Sequence, residues 1–309
     1  MKNVLFAAGE KRWALYFDPL TKALESEGVA AHLSQDIPPQ SVDYIVYAPD
    51  SSLQDFRPYT RAKAVLNLWA GVEKIVGNET LSIPLARMVD PGLSKGMTEW
   101  VVGHVLRHHL GMDRHIVNPD NEWRPAVPPL AFERTVVIFG LGALGTACAM
   151  ALVALGFNVV GWSRSPKSVE GVTCLHGEAG LSAALAQADI AVMLLPDTPA
   201  TTNLMNAETL GQMPQGAYLI NPGRGPLIDD DALLGALETG QIAHATLDVF
   251  RTEPLPRVHP FWDHPNVTVT PHIAADTRPA TAAQMVARNI ARSEAGLPLL
   301  NLVDRSLGY

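Results

Sequence analysis

Short apolar runs alternate with stretches of helical period from the first residues of the chain. Val4–Ala7, Tyr44–Tyr47, Ala64–Leu68 and Leu85–Met88 read as strands covered on both faces, which are apolar throughout rather than at every second position. Between Ser94 and His115, the residues Met97, Trp100, Val101, Val105 and Leu106 recur at helical spacing and predict one long helix bridging two domains. Asn118–Pro129 is proline-rich and polar, and reads as an extended arm. The alternation then restarts with six strands: Thr135–Phe139, Val159–Trp162, Ile190–Leu195, Ala217–Ile220, Ala245–Val249 and Val267–Thr270. A last helix is expected over Pro279–Ala295, with a tail that returns to the first domain. Strands alternating with helices predict an α/β chain of parallel sheets. Residues 94–284 form a Rossmann-type dinucleotide-binding domain in this reading, and residues 1–93 with 285–309 form a smaller, discontinuous substrate-binding domain.

The length of 309 residues suits two cores, and 17% charged with 47% hydrophobic residues is a folded, globular composition. A net charge of −8 without a basic stripe weighs against nucleic acid, so an anionic ligand has to be held by local groups. Cys148 and Cys174 form neither a disulfide framework nor a paired metal motif, which fits a reducing compartment. The apolar start meets Glu10-Lys11-Arg12 too early for a signal peptide, and no apolar run approaches the roughly 20 residues of a membrane span. The expectation is a soluble, cytoplasmic protein.

Candidate chemistry begins where Thr135–Phe139 runs into Gly140-Leu141-Gly142-Ala143-Leu144-Gly145 and a helix follows. Gly140 permits the tight turn, Gly142 lets backbone approach a pyrophosphate, and Gly145 allows close helix packing. The backbone of Gly140, Gly142, Ala143, Leu144 and Gly145 is thus the candidate phosphate cradle, at the positive end of a helix dipole. After the next strand, an NAD enzyme places an acid for the ribose hydroxyls. Here Ser163-Arg164-Ser165-Pro166-Lys167 stands instead, with no acid before Glu170. Hydroxyls from Ser163 and Ser165 with cations from Arg164 and Lys167 suit a 2′-phosphate, hence NADP(H); the plainer alternative is a solvated basic loop.

Three further polar residues follow three strand ends: Arg224, Glu253 and His272. In an open α/β sheet such loops line one crevice. Reduction of a 2-keto acid builds charge on the carbonyl oxygen, which a cation stabilises and an acid protonates. Arg224 between Gly223 and Gly225 fits the first role and can grip a carboxylate; His272 fits the second, with Glu253 orienting the imidazole. Taken singly, each has an ordinary reading as a loop residue. The remaining histidines show no ligand spacing, so no metal site is expected.

These residues resemble the D-isomer-specific 2-hydroxyacid dehydrogenase family, and within it the glyoxylate/hydroxypyruvate reductase A type. The resemblance rests on Gly140–Gly145, Trp162–Ser165, Leu194-Leu195-Pro196 with Thr198 and Thr201, Asn221–Gly225, Leu247–Phe250 with Glu253–Pro256, and Pro271–Ala275. It implies Arg224 as the substrate contact, His272 as general acid/base and Glu253 as its partner. It further implies Leu195, Pro196 and Thr201 on the adenosine and phosphate side of the cofactor, with Pro222, Gly223 and Ala274 also toward it and Asp248 near the nicotinamide carboxamide. A flavodoxin-like substrate domain and a homodimer built through the long helix and arm are implied as well. The family's Gly-Ala-Gly-Val-Asp substrate loop is here Trp69-Ala70-Gly71-Val72-Glu73. Ala70 and Gly71 keep the backbone N–H donors, while Trp69 is either a pocket wall or a core aromatic. Two rival functions remain. One is an NAD(H)-linked dehydrogenase of lactate, phosphoglycerate, formate or a bulkier acid; the other is a non-catalytic regulator that senses dinucleotide.

Overall fold

The computed structural model describes residues 1–123, 125–306 and 308. In chain order its elements are β1 (Lys2–Ala7), α1 (Glu10–Ser26), β2 (Ala31–Ser34), β3 (Tyr44–Tyr47), β4 (Ala64–Asn67), β5 (Leu85–Ala86), α2 (Pro91–His109), α3 (Asp113–Ile116), β6 (Thr135–Phe139), α4 (Ala143–Ala154), β7 (Asn158–Ser163), β8 (Thr173–His176), α5 (Gly177–Leu185), β9 (Ile190–Met193), α6 (Ala207–Gly211), β10 (Ala217–Asn221), α7 (Asp230–Glu238), β11 (Ile242–Leu247), β12 (Val267–Val269) and α8 (Pro279–Glu294). The chain divides into two compact units, Met1–Leu93 with Asp276–Tyr309, and Ser94–Ala275.

In the first unit the sheet order is β2-β1-β3-β4-β5, all pairs parallel, which is the flavodoxin-like order. Every residue of β3 and β4 is buried because both faces are covered. One face packs on α1 through Tyr16, Leu20 and Leu24 and on α8 through Ala283, Val286 and Ile290. The other face is filled by loop residues such as Phe56, Ile75 and Leu81. Glu294 fastens the end of α8 by accepting from Lys2 Nζ (2.6 Å), Lys63 Nζ (2.8 Å) and Tyr44 Oη (2.6 Å). The tail then bridges β5, Leu302 lying antiparallel to Ala86.

In the second unit the order is β12-β11-β10-β9-β6-β7-β8, again parallel throughout. The strand direction of travel reverses between β6 and β9, which is the Rossmann switch point. Val136, Ile138 and Val192 face one core layer, and Val137, Phe139 and Met193 face the other.

Sequence and structure differ in a few places. β2 and β8 escape the apolar pattern because both are edge strands, short and only partly buried. The expected helix from Ser94 to His115 ends at His109, where Gly111 at φ +60° turns the chain, and α3 is a separate turn. The chain re-enters the first unit at Asp276 and not at 285, because the whole of α8 packs there. Leu68, Met88, Leu195 and Val249 are buried loop residues just past strand ends, so apolar runs outlast the strands. Among the described residues no helix is long and apolar enough to cross a membrane.

Candidate active site

At the first strand end of the second unit, the glycines divide by function. A Cβ on Gly140 would lie 2.5 Å from the Leu194 carbonyl oxygen, and one on Gly145 would lie 1.8 Å from that of Gly140. Both are therefore demanded by the close approach of the turn to β9 and to α4. At Gly142 an added Cβ would meet nothing within 4 Å, so its bareness serves no packing need of the chain. Gly142 caps α4 without a side-chain acceptor, and the first turn holds no acid. The helix thus presents N–H groups that have no partner within the helix, and its positive end, beside open space at Gly142, a fit for the pyrophosphate of a dinucleotide.

The turn after β7 is of another kind. Ser163 is buried, and its hydroxyl donates to the Ser165 carbonyl at 2.8 Å, which shapes the turn. Arg164, Ser165 and Lys167 are exposed on it. After β9, the Thr201 hydroxyl donates to the Pro196 carbonyl (2.7 Å) and accepts from Thr198 N–H (2.9 Å), closing the Leu195–Thr201 loop on itself.

The ends of β10, β11 and β12 are interlocked. Asn221, fully buried, donates from Nδ2 to the Arg224 carbonyl (2.9 Å) and accepts from Gly223 N–H (3.1 Å), which fixes the turn carrying Arg224. A Cβ on Gly225 would sit 2.0 Å from the Phe250 carbonyl carbon, so this turn lies backbone to backbone on the loop after β11. In that loop, Glu253 Oε1 accepts from Phe250 N–H (2.9 Å) while Oε2 meets His272 Nδ1 at 2.8 Å. The imidazole is half exposed, and with Nδ1 committed to Glu253 its Nε2 is the atom left for a reactant. His272 takes the left-handed backbone region, φ +54°, which is unusual for a residue with a Cβ. Asp248 is fully buried; Oδ1 accepts from Thr270 Oγ1 (2.6 Å) and Ile273 N–H (2.9 Å), and Oδ2 from Ala274 N–H (2.9 Å).

Beneath this corner, His108 of α2 is buried and His244 of β11 is partly buried. His108 Nε2 pairs with Thr246 Oγ1 at 2.9 Å, and His244 Nε2 with Thr268 Oγ1 at 2.8 Å. The His108 ring stacks on Tyr218. Burial, reinforced by neighbouring His244 and Arg107, pushes His108 down to about 2, and burial with Arg107 pushes His244 to about 4.

In the first unit, the expected substrate loop follows β4. Asn67 donates to the carbonyls of both Trp69 (2.9 Å) and Gly71 (3.1 Å), so across these trans peptides the N–H groups of Ala70 and Val72 point away from it. Trp69 is half-buried against the core of its unit, with Arg12 Cζ 5.6 Å and Lys74 Nζ 5.7 Å from its ring centroid.

Arg224, Glu253 and His272 thus stand in the loops that follow three neighbouring strands, with Glu253 and His272 in direct contact. Sequence reasoning passed over Asn221 and Thr270, and saw Asp248 only as a neighbour of the cofactor. Each is a small polar residue at a strand end, a signal that gains meaning only when its partners are known.

Similarity to known proteins agrees with this geometry. The family model for the D-isomer specific 2-hydroxyacid dehydrogenase, NAD binding domain, matches residues 101–274. Glyoxylate/hydroxypyruvate reductase A of Serratia proteamaculans is 44% identical over 257 residues, 81% of this chain and 82% of the relative. A D-isomer specific 2-hydroxyacid dehydrogenase from Xanthobacter autotrophicus, crystallised with NADPH and MES, is 39% identical, with TM-score 0.91 over 100% of this chain and 99% of its own. The NADPH-dependent glyoxylate/hydroxypyruvate reductase of Sinorhizobium meliloti, crystallised with NADP and sulfate, is 35% identical, with TM-score 0.87 and full coverage of both chains.

Proposed function

The chain belongs to the D-isomer specific 2-hydroxyacid dehydrogenase family, and from that membership we propose that it reduces small 2-keto acids of the glyoxylate and hydroxypyruvate kind to D-2-hydroxy acids, preferring NADP(H). The observation that carries the reading is the Glu253–His272 pair at 2.8 Å, one strand away from the turn that presents Arg224. A nicotinamide dinucleotide bound along Gly140–Gly145 supplies the hydride. The chain's own residues do the rest. Arg224 grips the substrate carboxylate and stabilises the negative charge that grows on the carbonyl oxygen. His272 delivers a proton to that oxygen from Nε2, and takes it back in the oxidation direction. Glu253, on Nδ1, keeps the ring in the required tautomer and orientation. Within the first unit, the N–H groups around Ala70 and Gly71, beside Trp69, are suited to a carboxylate. Leu195, Pro196, Thr201, Pro222, Gly223 and Ala274 line the cofactor.

The preference for NADP(H) rests on Arg164 and Lys167, exposed on a turn that has no acid before Glu170, and on the NADPH and NADP held by the two relatives. NAD(H) is accepted less well. A homodimer is supported by apolar side chains exposed in the arm, Trp123 (94% exposed) and Val127, and at its two ends, Ile116, Val117, Leu130 and Phe132. Purified protein given glyoxylate or hydroxypyruvate is expected to consume NADPH faster than NADH, followed at 340 nm. Dinucleotide binding without turnover across a panel of 2-keto acids favours the regulator instead.

A further inference from the structure

β4 is apolar until its last residue, Asn67, which is 1% exposed. Its Nδ2 donates to the carbonyls of Trp69 (2.9 Å) and Gly71 (3.1 Å). Serving both takes two protons on one short side chain, which a hydroxyl or a carboxylate lacks. Oδ1 is also buried and accepts from no described residue. An unpartnered buried acceptor is costly, and an apolar residue would complete the strand without it, so Asn67 is explained by what its nitrogen holds.

The segment it holds turns its carbonyls to the protein. Leu68 O accepts from Thr277 Oγ1 (2.9 Å), Trp69 O also from Met88 N–H (3.0 Å), and Val72 O from the N–H groups of Ile75 (2.9 Å) and Val76 (2.8 Å). The N–H groups are the reverse: those of Ala70, Gly71 and Val72 donate to no described residue. A run of backbone donors without acceptors carries partial positive charge and suits an anion.

We infer that Asn67 is the positioning residue of this loop: by drawing in the Trp69 and Gly71 carbonyls, it sets the N–H groups of Ala70 and its neighbours to receive the carboxylate of a 2-keto acid. The inference deepens the reading of the chain as a keto acid reductase and rests on it. Asn67 needs no contact with a reactant, because across trans peptides each carbonyl it draws in turns the following N–H away from it. A substrate carboxylate bears the same charge before and during hydride transfer, so donors aimed at it bind the ground state and the transition state alike. Misplacing them therefore raises KM and leaves kcat unaltered.

Asn67→Asp sets acceptors against two carbonyl oxygens and should turn the loop. With glyoxylate and NADPH, KM is expected to rise on the order of 30-fold, while kcat and the Kd for NADPH each stay within about threefold. Asn67→Ser keeps one donor in place of two and should raise KM about fivefold; it decides the matter if Asn67→Asp does not fold. Unchanged KM in the folded variants, whether kcat or thermal stability falls or not, leaves Asn67 a structural residue and overturns the inference. A readout independent of turnover is the amide NMR spectrum of the full chain with NADP+ present, titrated with oxalate, which carries the carboxylate but accepts no hydride. The Ala70 and Val72 peaks should move in the parent, and move less at the same oxalate concentrations in the variants. A parent that shows this difference but turns over no keto acid loses the reductase reading and keeps the positioning role. Peaks that move alike in parent and variants, or in neither, remove that role.

Discussion

The loops after β10, β11 and β12 and the turn after β7 sit at the same end of one parallel sheet, yet they are built on opposite principles. Around His272 nearly every polar atom is held by another: Asn221 closes the Arg224 turn, Asp248 gathers three donors, and Glu253 binds both Phe250 N–H and the imidazole. After β7, Arg164 and Lys167 extend from an exposed turn shaped by one serine bond. The difference fits the tasks proposed for them. A proton delivered to a growing oxyanion requires atoms placed to a fraction of an ångström, whereas telling a phosphate from a hydroxyl requires only charge of the right sign nearby. Rigid chemistry and adjustable recognition are thereby separated on one scaffold.

The largest effect that would sharpen this contrast is expected from His272→Gln, which keeps a polar side chain and removes the proton donor. kcat/KM for keto acid reduction should fall about 1,000-fold with NADPH affinity nearly unchanged. A loss below tenfold would mean that another group delivers the proton. Next comes acid, which attacks the floor of the same corner. His108 and His244 stay neutral in the folded protein down to about 2 and about 4, whereas the unfolded chain protonates them near 6.5. Between pH 6.5 and about 4 the unfolded state binds protons that the folded state refuses, so stability is complete above this window and falls on acidification. The slope should reach about 1.4 kcal/mol per pH unit for each histidine. Urea midpoints measured at pH 7.5, 5.5 and 4.5 check this, and His244→Gln should flatten the profile. The smallest effect belongs to the exposed turn: Arg164→Asp should shift the NADPH-to-NADH ratio of kcat/KM by about tenfold toward NADH, with kcat unaltered. An unmoved ratio would reduce Arg164 to a surface charge.

Much of the architecture could be read in advance because burial on both faces writes itself into composition. β3 and β9 are apolar along their length, as are β4 and β6 apart from Asn67 and Thr135 at one end of each, and the turn after β6 needs glycine where backbone meets backbone. β2 and β8 carried no such mark, since an edge strand has one flank free and tolerates His32, Ser34, Thr173 and His176. Arg224, Glu253 and His272 were legible as chemistry, each a reactive type just past a strand end. Their supports were not. Nothing near Thr270 or Thr246 in the sequence distinguishes a buried anchor from an ordinary polar residue, because their partners lie 22 and 138 positions away.

The sequence by itself determined two parallel α/β units, the glycine-rich turn after β6 and the polar side chains past the strand ends, since these follow from periodicity, glycine sterics and side-chain chemistry within short segments. Only the tertiary structure decided the register that sets Glu253 against His272, the fit of Gly225 on Phe250 and the three donors gathered by Asp248. Those contacts join segments far apart in the chain, and a hydrogen bond fixes a side chain only once packing has brought both partners within about 3 Å.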